Sequence, residues 1–428
     1  MLTLLADFAA ARWRRFADRA ALERFQQRRM AAFRRQLLAR LPLYRELADQ
    51  PLDRFPIADK AFVRQHFAGL NILGLSYDQG LALARAGAEQ DGITIGMSSG
   101  TSGNRGLFLV SRAERRRWAA VMLGKALPPG GLLRRHRVAL LLAADSRLYS
   151  TTQDSGRLAY RFFDLKQGLD AHVAALQAYA PTLMVAPAHV LGLLARRQLD
   201  GQLRLAPQRA FSAAEVLDPA EAQVIAAAWG APVHQIYQCT EGFLGITCAH
   251  GTLHLNEDYV LVEKEWIDQG RRAFNPVITD FSRRTQAMVR YRMNDVLIAA
   301  ARPCACGSPL QAIERVEGRR DDLLVFPGAS GGRVIMFPDD VRATLLDAAP
   351  AATDFTLVQP TPERVELALA GAVPDGQRAA AERAFGLAVA RLGGVAPEIS
   401  RVAYQPPADH AAKLRRVRRG FAWDGERQ

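Results

Sequence analysis

The sequence predicts an α/β protein with a large layered N-terminal domain and a small α+β C-terminal domain. Three observations carry that expectation. Between about residues 90 and 300, short apolar runs such as VALLLAA (138–144) and TLMVAP (182–187) alternate with helical periodicity near 112–124, 168–180 and 219–229. Strands that alternate with helices build a sheet covered on its faces. After about residue 320 the texture changes: RVIMFPDDV, FTLVQ, RVELALAG, a helix over 375–392 and ISRVAYQ form a compact α+β set. That tail is long enough to hold its own core, and 428 residues suit two domains better than one.

The N-terminal part reads as helical to about residue 50. Residues 8–38 place apolar side chains at helical spacing among many arginines, and Pro42 ends the pattern. Acidic residues interleave with the bases there, so packing on the main domain is expected rather than a membrane surface. No apolar run is long enough to span a bilayer; Pro187 and His189 interrupt the best stretch, Leu183 to Leu194. MLTLLADFAA carries Asp7 and lacks a basic leader, which argues against a secretory signal and for a cytoplasmic protein.

The formal net charge is +13, and only Lys60, Lys125, Lys166, Lys264 and Lys413 are lysine. Such a balance favours anionic partners, nucleotides or an acidic carrier among them. No basic block alternates with aromatics as a single-strand platform does, which excludes nucleic acid as the expected partner.

The least ordinary stretch is SSGTSGNRG, Ser98 to Gly106, placed between the strand-like ITIGM and a helical run from Ala113. Glycines let backbone N–H groups turn onto an anion, and hydroxyls add donors. Arg105 adds a charge-assisted bond to a phosphate. The stretch is neither a Walker A loop nor a dinucleotide-binding fingerprint. Taken alone, its alternative reading is a flexible Gly/Ser surface turn.

Five further segments accompany it in order: FSAAEVL (211–217), IYQCTEG (236–242), VRYRMNDV (289–296), VEGRRDDLLVF (316–326) and HAAKLRRV (410–417). Together the six resemble the motifs of the adenylate-forming superfamily of acyl- and aryl-CoA ligases, luciferases and peptide-synthetase adenylation domains. LPLYREL, FPIADKAFVRQHF (55–67) and a CxCG resemble the branch of phenylacetate–CoA ligases and coenzyme-F (deazaflavin) adenylating synthetases. The resemblance implies an AMP-binding domain over 1–320 and a mobile domain over 321–428. It implies ATP, Mg²⁺, a small carboxylate substrate, and CoA or an acyl carrier protein as acceptor; a homodimer is compatible with it.

The implied roles fall on named residues. Ser98, Ser99, Gly100, Thr101, Ser102, Gly103 and Arg105 would hold the β/γ-phosphates, and Ala214 and Glu215 the adenine side. Tyr237 would stack on adenine, Thr240 touch the α-phosphate and Glu241 hold the magnesium ion, a role that suits a hard carboxylate. Asp295, as an acceptor-only carboxylate, would take the ribose hydroxyls, with Arg319 assisting. Asp321 would be the hinge. Lys413 would bridge the attacking carboxylate and the α-phosphate, stabilising charge that grows in the transition state. One departure stands out: Asn104-Arg105 replaces the lysine that usually follows the loop's last glycines.

The cysteines support a separate expectation. Cys304 and Cys306 form half a zinc knuckle, and Cys248 with His254 supplies the other half, with His250 as alternative ligand. Three thiolates and an imidazole make a closed tetrahedral set, which implies a structural ion. The bland alternative is four small buried hydrophobes. His254 with Asp258 also matches the short H-x-x-x-D of some acyltransferases, where the histidine is a general base.

Overall fold

The computed structural model describes residues 2–97, 106–143, 157–405 and 415–422. The chain divides into two compact units, residues 1–293 with 298–315, and residues 294–297 with 316–428.

The heart of the first unit is a run of five parallel strands. In spatial order these are Leu158–Asp164, His136–Leu142, Leu183–Ala186, Arg209–Ala213 and His234–Cys239. Two of the inner ones, His136–Leu142 and Leu183–Ala186, are covered on both faces and read as apolar runs, VALLL and LMVA, rather than as alternating ones. One face carries Ala139, Leu141, Met184, Ala186 and Ala210, packed on Leu176, Val190, Leu191, Leu194 and Ile225 of the helices Asp170–Tyr179, Ala188–Leu199 and Pro219–Trp229. The other carries Val138, Leu183, Phe211 and Ile236 against Phe8, Ala11, Ala120 and Val121. Those four belong to helices Leu2–Trp13 and Arg112–Ala126, so the sheet is covered on both sides as expected. An antiparallel run, Gly242–Thr247 then Leu253–Leu255, continues the sheet from its last parallel strand.

The helices begin and end where the chemistry allows. Asp18 accepts the Ala21 amide at 2.7 Å and opens helix Arg19–Gln36, so the N-terminal arginine-rich stretch is two helices broken at 14–18. Arg12 reaches from the first helix to the carbonyl of Pro128 at 2.7 Å and binds that of Leu127, closing the C-terminus of Arg112–Ala126.

Sequence pattern and structure differ around the glycine-rich stretch. The expected order was strand, loop, helix; a second strand, Leu107–Ser111, intervenes and pairs antiparallel with Ile93–Met97. The helix then starts at Arg112, where Ser111 and Glu114 form a reciprocal capping box. A five-residue apolar run next to a helix does not declare its own period, so the sequence merged the two.

The second unit packs the helices Pro338–Ala348 and Asp375–Arg391 on a four-stranded sheet. The spatial order is Glu398–Arg401, Arg364–Ala370, Asp354–Thr361, Val417–Arg419. Its core includes Phe326, Leu345, Phe355, Phe385 and Val417. Fully buried Gln359 joins this sheet to the hairpin Leu324–Pro327/Arg333–Met336: it accepts the Val325 amide at 2.9 Å and donates to the Val325 carbonyl at 2.8 Å.

Candidate functional site

Thr240 and Glu241 form the tight turn between strands His234–Cys239 and Gly242–Thr247, at the C-terminal end of the last parallel strand. Ligands of open α/β sheets gather at that end. Thr240 Oγ1 donates to Glu241 Oε2 at 2.8 Å. Tyr291 lines the same cleft as Thr240 and Glu241. Burial first, then the nearby Glu241 carboxylate, raise the Tyr291 pKa far above the ordinary phenol range, so the phenol stays protonated.

These residues open on a cleft of about 450 Å³, its mouth included, lined by Lys60, Arg64, Tyr77, Gly106, Thr240, Glu241 and Tyr291 among others. Gly106 closes the glycine-rich stretch. Lys60 and Arg64 stand one turn apart on helix Lys60–Leu70, whose first turn is capped by Asp59 accepting the Phe62 amide at 2.8 Å. The Arg64 guanidinium lies over the Tyr77 ring, 5.1 Å from its centroid. The cleft therefore sets two cations against one carboxylate, a surplus suited to an anionic ligand.

The turn itself is gripped from behind. Arg283 Nη2 donates to the carbonyl oxygens of Thr240 and Glu241 at 2.9 and 2.7 Å. Its Nε faces Asp280 Oδ2 at 3.4 Å, and Asp280 Oδ1 takes the Ser282 hydroxyl at 2.6 Å. Sequence reasoning missed Arg283, Tyr291, Lys60 and Arg64. The only signal was the presence of Lys60 among so few lysines.

The other expected residues are placed as follows. Ala214 sits in the left-handed region at φ 68°, unusual for a residue with a Cβ and a local strain in the loop after strand Arg209–Ala213. Its neighbour Glu215 accepts from His189 Nδ1 at 2.7 Å. Tyr237 is half-buried on the strand before the turn. In the second unit, Asp321 Oδ2 accepts from Asn294 Nδ2 at 2.6 Å, next to Asp295. Arg319 ends the strand Ala312–Arg319. Ser98, Ser99, Gly100, Thr101, Ser102, Gly103, Arg105 and Lys413 lie outside the described residues.

The structure brings Cys248, His254, Cys304 and Cys306 together, their ligand atoms all within 4.8 Å of one another. Cys248 Sγ lies 3.7 Å from Cys304 Sγ, and Cys306 Sγ 3.4 Å from His254 Nε2. Zn–S bonds of about 2.3 Å and Zn–N bonds of about 2.0–2.1 Å in a tetrahedron imply separations of about 3.8 and 3.6 Å. His254 Nδ1 lies 3.1 Å from the Leu310 carbonyl, which fixes the tautomer with Nε2 free for a metal. Burial raises the Cys304 thiol pKa, but hydrogen bonds, those of the Cys306 amide and Thr252 foremost, outweigh it and bring it to about 6. His250 is exposed and stands outside the set, its amide donating to Cys248 Sγ at 3.4 Å. The acyltransferase pattern fails on the same geometry. Asp258 is held by Lys125 at 2.8 Å, while His254 faces Leu310 and Cys306.

No protein-family model and no curated protein matches the sequence. Solved structures do match in fold. The chain superposes on 2-hydroxyisobutyryl-CoA ligase, in its postadenylation state with an acyl-AMP, with a TM-score of 0.63 at 18% identity, over 94% of this chain and 89% of that one. A fatty acyl-adenylate ligase (from a study of the E. coli and L. pneumophila enzymes) gives 0.53 at 14% identity, over 75% and 67%. An amide bond synthetase of Marinactinospora thermotolerans gives 0.51 at 15%, over 74% and 67%. The protein has the fold of the adenylate-forming ligases. Among its described residues no helix is long and apolar enough to cross a membrane.

Proposed function

We propose that this protein activates a carboxylic acid, aryl or acyl, as its adenylate with release of pyrophosphate, and passes the acyl group to a thiol. The observation that carries the reading is the cleft in which Glu241, Thr240 and the last glycine of the Ser/Gly-rich stretch meet the cations Lys60 and Arg64. Attack of a carboxylate on the α-phosphorus of ATP joins two anions, so the site must neutralise charge and align the attack. Lys60 and Arg64 would take charge on the phosphate side, where the stretch itself lacks the usual lysine. Thr240 would orient the α-phosphate, and the Tyr291 hydroxyl would hold the Glu241 carboxylate. In the second unit Asp295 would receive the ribose hydroxyls, Arg319 assist, and Lys413 neutralise the growing charge.

The residues fit a magnesium ion in the manner usual for nucleotide sites, one protein carboxylate beside substrate phosphates, and Glu241 would hold it. When bound, the ion would neutralise phosphate charge. Cys248, His254, Cys304 and Cys306 fit a structural zinc by donor type, count and spacing.

The acceptor is the thiol of CoA or of a carrier protein's phosphopantetheine, anionic partners that suit a basic surface. An amine or alcohol acceptor is the second reading, supported by the fold shared with an amide bond synthetase. The test is ATP–pyrophosphate exchange across aryl, fatty and amino acids, with Lys413→Ala as control. Exchange with one acid class, lost in the variant, supports the proposal and names the substrate class. ATP binding without exchange on any acid points to direct adenylyl transfer or to a nucleotide-binding protein without catalysis.

A further inference from the structure

We propose that Arg283 is the positioning residue of the Glu241 carboxylate, and that segment 280–291 is the frame through which it acts. This rests on the adenylation reading given above. The two-residue turn Thr240–Glu241 directs both its carbonyls toward one guanidinium, at 2.9 and 2.7 Å. Held this way, neither peptide plane can rotate, and the direction in which the Glu241 side chain leaves the backbone is set. The grip is rigid because Arg283 is itself held. Its side chain is 13% exposed and paired with Asp280, which is 9% exposed and further bonded by the Ser282 hydroxyl and amide at 2.6 and 2.9 Å.

The residues that follow tie this grip to the strand that leaves the glycine-rich stretch. The amides of Arg284 and Thr285 donate to Glu114 Oε1 at 2.6 and 3.2 Å. The Thr285 hydroxyl lies 2.9 Å from the Leu109 carbonyl, and fully buried Gln286 accepts the Leu109 amide at 2.8 Å. At its far end the segment returns to the cleft, where Tyr291 and Glu241 both line the wall. Glu241 is thus held at its carbonyl by Arg283, and Tyr291 lines the same cleft beside it. Both residues belong to one segment anchored on Leu109. An arginine can serve two carbonyls and one carboxylate together because its donors form a planar fork; a lysine keeps the charge toward Asp280 but not that geometry.

The experiment compares Arg283→Lys with wild type in the full-length protein. It uses two readouts: the Mg²⁺ dependence of ATP–pyrophosphate exchange, and binding of Mn²⁺·ATP followed by electron paramagnetic resonance. The expected result is a rise of about tenfold in half-saturating Mg²⁺ and an equal loss in Mn²⁺·ATP affinity, the scale of one hydrogen bond to a charged group. The acid KM and melting temperature stay at wild-type values. In a Glu241→Gln background Arg283→Lys adds no further loss of Mn²⁺·ATP affinity. If Arg283→Lys melts early, Asp280→Asn, which keeps an acceptor for the guanidinium, takes its place with the same expectation. Unchanged metal dependence, or full additivity with Glu241→Gln, overturns the assignment. A wild type that binds Mn²⁺·ATP without exchange defeats the adenylation reading alone, and the binding arm still judges Arg283. A wild type that does neither overturns both.

Discussion

His254 Nε2 lies 3.4 Å from Cys306 Sγ while its Nδ1 sits 3.1 Å from the Leu310 carbonyl, so one ring nitrogen is committed to the backbone and the other to the thiols. The relationship joins strand Leu253–Leu255 to the loop that bears Cys304 and Cys306. A metal there would staple the strand following the Thr240–Glu241 hairpin to a segment 52 residues further along the chain, from His254 to Cys306.

Purified without chelator, the protein is therefore expected to carry one zinc per chain by elemental analysis. Cys304→Ser loses the ion and lowers the melting temperature by several degrees, because a structural site contributes directly to folding. Cys239→Ser, outside the set, keeps it. Cobalt substitution should give the intense thiolate charge-transfer bands of a tetrahedral site. A metal-free wild type with all four thiols titratable would return these cysteines to the role of small apolar residues.

Lys60 supplies a second prediction. It opens its helix, reaches the cleft beside Glu241 and makes no ion pair among the described residues. Lys60→Ala should raise half-saturating ATP by about tenfold, the value of one charge-assisted bond, while the acid KM stays put. Equal ATP dependence in variant and wild type would remove Lys60 from the nucleotide site.

How far these features could be read in advance depended on whether side chains or backbone make them. The parallel sheet announced itself through apolar runs such as 138–144, and the turn Thr240–Glu241 through a short motif with fixed internal spacing. Arg283 bonds carbonyl oxygens, which every residue possesses, so nothing in IYQCTEG marks its partner. Ala214 and Arg290 adopt φ of 68° and 43° with no glycine to betray the turn. The sequence favoured His254 as the zinc ligand and left His250 as an alternative. Strand pairing separates them, since His254 pairs with Ile246 and faces the thiols while His250 falls in the exposed connecting turn. The strand Leu107–Ser111 was hidden by its direct junction with a helix.

Helix packing gives a third prediction. A Cβ on Gly124 would lie 2.8 Å from the Phe8 carbonyl oxygen and 2.8 Å from Ala11 Cβ, so the first helix rests directly on this glycine. Gly124→Ala should cost about 1–3 kcal/mol, the usual penalty of overpacking, and lower the melting temperature by a few degrees. Gly386→Ala is the contrast. Its Cβ would meet only Ala396 Cβ, at 3.7 Å, inside a helix where glycine costs roughly 0.5–1 kcal/mol relative to alanine, and it should stabilise. Calorimetry of both variants decides; equal melting temperatures would mean the first helix gives way freely.

The last prediction concerns acid. His234 lies on the final parallel strand, 5% exposed, its ring 5.3 Å from that of Phe211 and its Nδ1 without a partner among the described residues. Burial, then the charge of Arg209, lowers its pKa from 6.5 to about 4. The folded state thus keeps the imidazole neutral where the unfolded chain protonates it. Between those two values the unfolded state binds more protons, so stability rises with pH through this window. The contribution is complete above about pH 6.5 and is lost as pH falls toward 4, with a ceiling of roughly 3 kcal/mol. His234→Gln keeps a polar side chain of similar reach and cannot titrate. Its denaturation free energy, measured from pH 7 to 4.5, should fall less steeply than that of wild type, the two differing most at the acid end. Parallel curves would mean that the imidazole is protonated in the folded protein as readily as in the unfolded chain, and that the strand makes room for its charge.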